Sequence, residues 1–540
     1  MPHVQSPQVL IEIFKDLALQ KETVTAAGFT AEEDTRHKTP SGAHRYFRLA
    51  GISLLLALTN LFLARSEFGG YDLSLLIDSG WRLMNHQIPG LDFICTIPPS
   101  LYLLAEAAFR AFGVHWLSLI LAEDLLYLVF CLLGLRLCRL LESNPQAASD
   151  GHLPWIYIAA QSLSLLTVNH LWHSTIAAAA AAYAILASYA LLRSRSSRQS
   201  GEAAAHLGFA FAILLLSKAN TAWPAVLLCA LCVAREKRLR LHLMIALSTA
   251  AIADLALLTA CHISIFNAFK GYLGLSNRAL PRLFLVGLRP DRNFWGEVSV
   301  PLTYLALILP AWITAKTLWL DRRRAWERPI DSLAAAACLV SLVGLGTNWD
   351  FKIIDTAPFL IGAAILSESD PQRRDGLARP LRWSVGMLLG LAAFLGLERA
   401  RMVAVGPWAG RAYGAEVQIH DRFFGDFTAR ESLVRLLSEV DTVVSRSPGA
   451  KVFFGPRMEF LYAREALTSP SRLPIWWHRG SSYPIAAQSQ VDQAWEADGF
   501  DVLIFAKNDR TRFPPELLSY IDSKYTEDTT RSTIDVYRRR

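Results

Sequence analysis

Residues 206–234 read HLGFAFAILLLSKANTAWPAVLLCALCVA. This apolar run is longer than the about 20 residues that one membrane-spanning helix needs. Ser217-Lys218-Ala219-Asn220 and Pro224 interrupt it in the middle. A lysine and a proline there are unfavourable for one continuous helix in hydrocarbon. The stretch is therefore read as two short spans, 206–217 and 222–234, joined by a polar turn.

Outward from this break, further spans fall near 47–65, 117–138, 153–169, 174–193, 241–261, 301–319, 331–347, 353–367 and 383–404, about eleven in all. Charge tests the split, because Lys and Arg collect on the cytoplasmic side of membrane proteins. Arg136 and Arg139 close the second span, and Arg193, Arg195 and Arg198 the fourth. Arg235, Lys237, Arg238 and Arg240 follow the sixth, Arg322, Arg323, Arg324 and Arg328 the eighth, and Arg373, Arg374, Arg379 and Arg382 the tenth. These clusters share one side only if 206–234 crosses twice.

Composition points the same way. The chain has 540 residues, 52% hydrophobic and 19% charged, with a mean hydropathy of +0.27, too apolar for an ordinary soluble enzyme. The net charge of +7 resides in the clusters between spans, so it reads as a topology signal and not as a nucleic-acid footprint. Most of the 7 cysteines lie within spans as small hydrophobes. Cys229 and Cys232 form a C-x-x-C inside a span with no second ligand pair nearby, so neither a zinc site nor a disulfide framework is expected.

The expected fold is a polytopic α-helical membrane protein with a small C-terminal α/β domain. Residues 1–45 are polar and of mixed charge, and read as a cytoplasmic tail. Residues 46–404 form the membrane domain, with large outer loops at 66–116 and 262–300, and 405–540 form the outer domain. In that domain 450–454 and 501–506 read as strands, Thr533–Tyr537 as an edge strand, and about 429–446 and 514–524 as helices.

The first outer loop carries the most pattern. Leu73, Leu76, Ile77, Gly80, Trp81 and Met84 follow helical spacing, with Ser74, Asp78, Arg82 and Asn85 opposite. Asp78 and Arg82 are an i, i+4 pair, read as solvated. After Pro98-Pro99, Leu101, Leu104, Ala105, Ala108, Phe109 and Phe112 make the stripe of a second helix, one fit to lie on a bilayer surface. Asp72, at the start of the first helix, is either an N-cap or a catalytic carboxylate. Residues alone leave both open.

The pattern Tyr71-Asp72, Gly80, Leu83, Pro89, Asp92-Phe93, Pro98-Pro99, Leu101-Tyr102 and Phe112-Gly113 resembles the first external loop of the GT-C superfamily of integral-membrane glycosyltransferases. These include aminoarabinose, protein mannosyl and lipopolysaccharide transferases. His86 and Gly90 depart from the pattern, which usually has Gly and Tyr there. The resemblance implies that Asp72 is the acidic residue that deprotonates or orients an acceptor hydroxyl. It also implies an inverting transfer.

Other candidates come from type and place. Ionisable groups inside spans are functional candidates: Glu123, Asp124 and Asp254 are secondary acids, with Asp78 and Asp92 in the loop, where Asp92 is read chiefly as a brace. Lys218 either pairs with Asp254 or Asp124, or meets a donor phosphate. His170 and His173 lie in one outer turn and suit a phosphate or sugar better than a metal. Arg278, Arg282, Arg289 and Arg292 stand among aromatics in the second outer loop, suited to a lipid-phosphate head group. Asp350 and Lys352 face the same side. Trp476-Trp477-His478-Arg479 in the tail suit sugar stacking or core packing.

The function expected is transfer of a sugar from a polyprenyl-phosphate donor to an envelope lipid, glycan or protein at the outer face of a bacterial inner membrane. Membrane lipids are the other partner. No nucleic acid, cofactor or metal is expected. The alternatives are a lipid or solute transporter or flippase, disfavoured by the lack of an internal repeat, and a non-catalytic envelope-assembly protein.

Overall fold

A computed structural model describes residues 41–66, 71–143, 152–165, 172–273, 327–347, 353–369, 379–388, 416–477, 485–507, 513–528 and 531–540, with isolated residues between them. The side chains of 41–43, 66, 71, 72, 271–273, 346, 347 and 416 are outside that description. Two compact units are Met1–Tyr46 and Phe47–Arg540. The architecture below belongs to the second, apart from the start of the first helix.

The helices are α1 (Ser41–Leu63), α2 (Tyr71–Met84), α3 (Pro99–Phe112), α4 (Trp116–Glu142), α5 (His152–Ser162), α6 (His173–Arg193), α7 (Ser197–Leu215), α8 (Ala219–Ala234), α9 (Arg240–Ala260), α10 (Ile265–Leu273), α11 (Pro329–Thr347) and α12 (Ala357–Ser369). Among the described residues, His44–Leu63, Trp116–Glu142, His173–Arg193 and Lys237–Ala260 are long and apolar enough to cross a membrane, and Ala219–Ala234 is a shorter apolar helix. The run 206–234 is broken where Ser217 and Lys218 separate α7 from α8. Pro224 lies inside α8, in its second turn.

Helix α6 is the axis of the bundle. Its apolar window is buried throughout, because Ala177–Ala182 present almost no side chain and let neighbouring backbones approach. By contrast, α1 and α9 leave large apolar residues exposed, including Phe47, Phe62, Leu241 and Ile252, as lipid-facing helices would.

The two ends of the bundle differ chemically. At one end Arg136 pairs with Glu202, Arg238 donates to the carbonyls of Leu192 and Ser194, and Arg235 donates to Ser332. The basic clusters of the second, fourth and sixth spans thus lie together. At the other end Ala64, Trp116, Trp172, Leu216 and Leu258 join one apolar cluster with residues of the loop 66–116 and the tail.

The tail is α/β. A hairpin of β1 (Glu416–Asp421) and β2 (Gly425–Arg430) precedes α13 (Glu431–Ser445). Then come β3 (Val452–Phe454), α14 (Phe460–Glu465), α15 (Gln488–Asp498), β4 (Val502–Ala506), α16 (Pro515–Lys524), β5 (Tyr525–Asp528) and β6 (Ile534–Arg539). The sheet order is β3-β4-β6-β5, parallel between β3 and β4 and antiparallel elsewhere. The strand read as an edge, β6, is therefore internal, and β3 and β5 are the edges. Alternation explains the two buried faces. Phe453, Leu503, Phe505 and Tyr537 meet Trp477, Trp495 and Phe513, while Phe454, Ile504 and Val536 join the cluster that holds the first outer loop. Trp477 is thus a core residue, its ring 4.6 Å from that of Phe513. Its neighbours His478 and Arg479 lie outside the described residues. Buried Arg464 ties the hairpin to α13 through Asp421 at 2.8 Å and Asp441 at 2.7 Å.

Helices α2 and α3 cross tightly at Gly80. A Cβ there would lie 2.8 Å from the Ala105 Cβ and 3.1 Å from its carbonyl carbon, whereas nothing lies within 4 Å of one built at Gly51. Gly80→Ala is expected to cost about 1–3 kcal/mol by overpacking. Melting in detergent checks this, with Gly51→Ala holding the parent temperature.

Candidate functional site

Helix α2 presents two faces. Leu73, Leu76 and Ile77 are buried in the shared core. The polar stripe, Ser74, Asp78 and Arg82, expected in solvent, is covered by the C-terminal domain instead. Asp78 and Arg82 are 0% and 2% exposed and meet at 2.7 Å. Ser469 donates its hydroxyl to Asp78 at 2.5 Å, Arg82 donates to the Pro470 carbonyl at 2.6 Å, and Gln87 donates to the Ser469 carbonyl at 2.8 Å. Trp81 donates its indole N–H to the Leu467 carbonyl at 2.8 Å. The Arg82 guanidinium lies 4.9 Å from the centroid of the Phe93 ring. The solvated reading of the Asp78–Arg82 pair is thus corrected: its charges are dehydrated, and these added hydrogen bonds offset that cost.

The second helix is corrected in the same way. Leu101, Ala105, Ala108 and Phe109 of α3, the stripe expected against a bilayer surface, are buried within the protein. Phe112 is left exposed at the C-terminal end.

Asp72 is the second residue of α2, so the helix begins one residue before it. An acidic residue in a first turn is favoured by the helix dipole. Its side chain lies outside the described residues.

The turn after α2 is held from several sides. Asp92 Oδ2 accepts the Ile88 N–H at 2.7 Å, and the Gly90 N–H reaches the Phe93 carbonyl at 2.9 Å. Asp92 therefore braces the turn. Ile94 exchanges backbone bonds with Leu473 and Ile475 of the tail, each 3.2 Å. Gly90 has φ +75°, and a Cβ there would sit 2.5 Å from the Asn267 carbonyl oxygen. A larger residue at this position would push α10 away. Lys270 of α10 reaches the Gly90 carbonyl at 3.4 Å.

Helix α3 begins against the break in 206–234. The Ser100 N–H donates to the Leu216 carbonyl at 2.9 Å, and the Ser217 hydroxyl donates to the Ser100 hydroxyl at 3.1 Å. Half-buried Lys218 occupies the N-cap of α8 next to this contact. His173 opens α6, its ring tilted against that of Trp172 with centroids 4.5 Å apart. The apolar cluster includes Trp172, Leu216 and Tyr102, so it joins the starts of α3 and α6 to the end of α7.

The other acids divide. Asp124 Oδ1 accepts from the Asn60 amide at 2.9 Å, linking α4 to α1, and Glu123 is buried beside it. Asp254 is buried in α9, and among the described residues its Oδ2 has no hydrogen-bond partner. Among the described residues, no ion pair joins Asp254 to Lys218, one of the alternatives read from the sequence. His170, Arg278, Arg282, Arg289, Arg292, Asp350 and Lys352 lie outside the described residues. Among the described residues, no three His, Cys, Asp or Glu side chains form a group that could hold a metal ion.

One buried acid escaped the sequence reading. Glu459, in the apolar run Met458-Glu459-Phe460-Leu461-Tyr462, is 3% exposed. A lone carboxylate in such a run was the available signal. Burial pushes its carboxyl up to about 8; the Ser74 hydroxyl opposes the shift and the nearby Asp78 charge adds to it. A folded-state value above the ordinary 4.5 means that the folded protein binds the proton more tightly. The stabilisation is full below about pH 4.5 and is lost as pH rises through about 8. The melting temperature should therefore fall between pH 5 and 8, and Glu459→Gln should flatten that slope. A second prediction concerns Arg82→Ala, which leaves Asp78 buried without its cation. A loss of about 3–5 kcal/mol is expected, measured as faster proteolysis of the tail and a lower melting temperature.

No family model matches the chain, and no curated protein does. Solved structures do. ArnT from Cupriavidus metallidurans bound to undecaprenyl phosphate is 12% identical, with 92% of this chain and 98% of that chain covered and a TM-score of 0.43. The apo state of that protein gives 12%, 92%, 98% and 0.45.

Proposed function

We propose that this protein is a membrane glycosyltransferase that moves a sugar from a polyprenyl-phosphate donor to an envelope lipid, glycan or protein at the outer face of a bacterial inner membrane. In this reading 1–45 are cytoplasmic, 46–404 span the membrane and 405–540 lie outside. The basic end of the bundle faces the cytoplasm, as charge asymmetry favours. The observation that carries the proposal is the meeting of three features at the opposite end: the loop whose first helix bears Asp72, the Ser217–Lys218 break docked on Ser100, and the start of α6 at His173. The first-loop pattern that resembles GT-C enzymes supplies the chemistry.

The reaction follows from these parts. A sugar joined to phosphate has a good leaving group already in place, so no nucleotide sugar is needed outside the cytoplasm. Asp72 takes the proton of the acceptor hydroxyl as its oxygen attacks the anomeric carbon. The bond to the phosphate oxygen breaks, and Lys218, with Arg278, Arg282, Arg289 and Arg292, steadies the departing charge. His170, His173, Asp350 and Lys352 are assigned to sugar or phosphate contacts. A single displacement inverts the anomeric centre. Asp78, Asp92 and Asp124 hold structure: Asp78 is partnered by Arg82 and by Ser469 of the C-terminal domain, Asp92 by the Ile88 N–H and Asp124 by Asn60.

Purified protein given a polyprenyl-phosphate sugar and an envelope extract should release polyprenyl phosphate. Asp72→Asn should lower that rate by about 10²–10⁴-fold. Lys218→Ala should raise the donor KM roughly tenfold, the loss of one charge-assisted contact. Full activity in Asp72→Asn would remove the base assignment. The absence of release under all donor conditions would remove the transferase reading.

A further inference from the structure

Glu459 lies in the C-terminal domain, just before α14, and the chemistry above does not use it. Both of its oxygens are engaged. Oε1 accepts the Arg457 N–H at 3.0 Å, and Oε2 lies 2.7 Å from the Ser74 hydroxyl. Ser74 Oγ also accepts the Phe460 N–H at 3.0 Å, so one hydroxyl joins α2 to both the Glu459 carboxyl and the backbone of α14. Ser74 is 0% exposed and stands two residues after Asp72 on α2. The Phe460 ring packs against Phe68, just before α2, with centroids 4.9 Å apart. Carboxyl, hydroxyl and rings thus hold the entry to α2 from a domain 385 residues away in sequence. The Asp78–Arg82 contacts grip the same helix one and two turns further on.

We propose that Glu459 is a positioning residue that, through Ser74, sets the first turn of the helix carrying Asp72, making the C-terminal domain a working part of the transfer site. This rests on the reading of Asp72 given above. Among the described residues, the ionisable groups that act on Glu459 are Asp78 from α2 and Tyr462 from α14, and Glu459 makes no hydrogen bond to Asp78 or Arg82. Substitution at Glu459 therefore leaves the Asp78–Arg82 grip in place and separates positioning from docking.

The test is a double-mutant cycle of Ser74→Ala and Glu459→Ala, with Glu459→Gln and Asp72→Asn alongside. The readout is the initial rate of polyprenyl phosphate release against donor concentration. Each single variant should lower kcat about 10- to 100-fold with donor KM unchanged, the effect of a displaced catalytic group. The double variant should be no slower than either single one. Glu459→Gln should keep most of the rate, because its side-chain carbonyl accepts the same Ser74 hydroxyl. Additive losses, or a raised KM at constant kcat, would overturn the proposal. So would a wild-type rate in Glu459→Ala while Asp72→Asn is inactive. If Glu459→Ala does not fold, a folded Ser74→Ala with wild-type kcat overturns it as well. Full activity in Asp72→Asn would instead overturn the reading beneath, and the proposal with it.

Discussion

The buried ion pair between Asp78 and Arg82 is the constraint on which the candidate site depends. Neither charge has water around it, so both must find their hydrogen bonds in protein. Half of those partners, Ser469 and the Pro470 carbonyl, belong to the C-terminal domain. Helix α2 is therefore fully satisfied only when that domain is seated on it. The apolar cluster reinforces the coupling, since Phe68, Leu76 and Trp116 share one core with Phe424, Phe460 and Ile504. Loop and tail are one packed layer, assembled from opposite ends of the chain.

That layer gathers the residues of the proposed site. Several helices of the bundle start or end in the same apolar cluster, and the break at Ser217–Lys218 is drawn to Ser100 by two hydrogen bonds. Small residues in α6 let the bundle close around it, which brings Trp172 and His173 to the same end. Arg136, Arg235 and Arg238 sit at the far end, held by Glu202, Ser332 and backbone carbonyls. Charge asymmetry and the position of the tail thus follow from one arrangement of alternating helices.

Local pattern made part of this legible. The break at 217–218 was readable because a lysine and a proline interrupt an apolar run, a conflict confined to a few residues. Strands β3 and β4 were readable as short apolar runs beside Gly455 and Asp501. The covering of α2 was not. An i, i+4 pair such as Asp78 and Arg82 has the same spacing whether water or another domain lies over it, and the domain that covers it is 391 residues away at Ser469. Strand β6 was misplaced for a related reason: its alternation says which face is buried, and says nothing of how many strands flank it. Asp72 and Lys218 are candidates read from residue type, place and the family resemblance, whereas Glu459 drew no notice in the sequence because its partner Ser74 lies 385 residues away.

The one-sided assembly of loop, break and C-terminal domain is the central claim, and labelling of single cysteines in intact spheroplasts tests it most directly. Ser445 in the tail and Ser197 near the basic end are both exposed, and each is replaced by cysteine in turn. With a membrane-impermeant maleimide, Ser445→Cys should label at once and Ser197→Cys only after the membrane is permeabilised, against the background of the unsubstituted chain. Immediate labelling of Ser197→Cys with protection of Ser445→Cys would contradict the account.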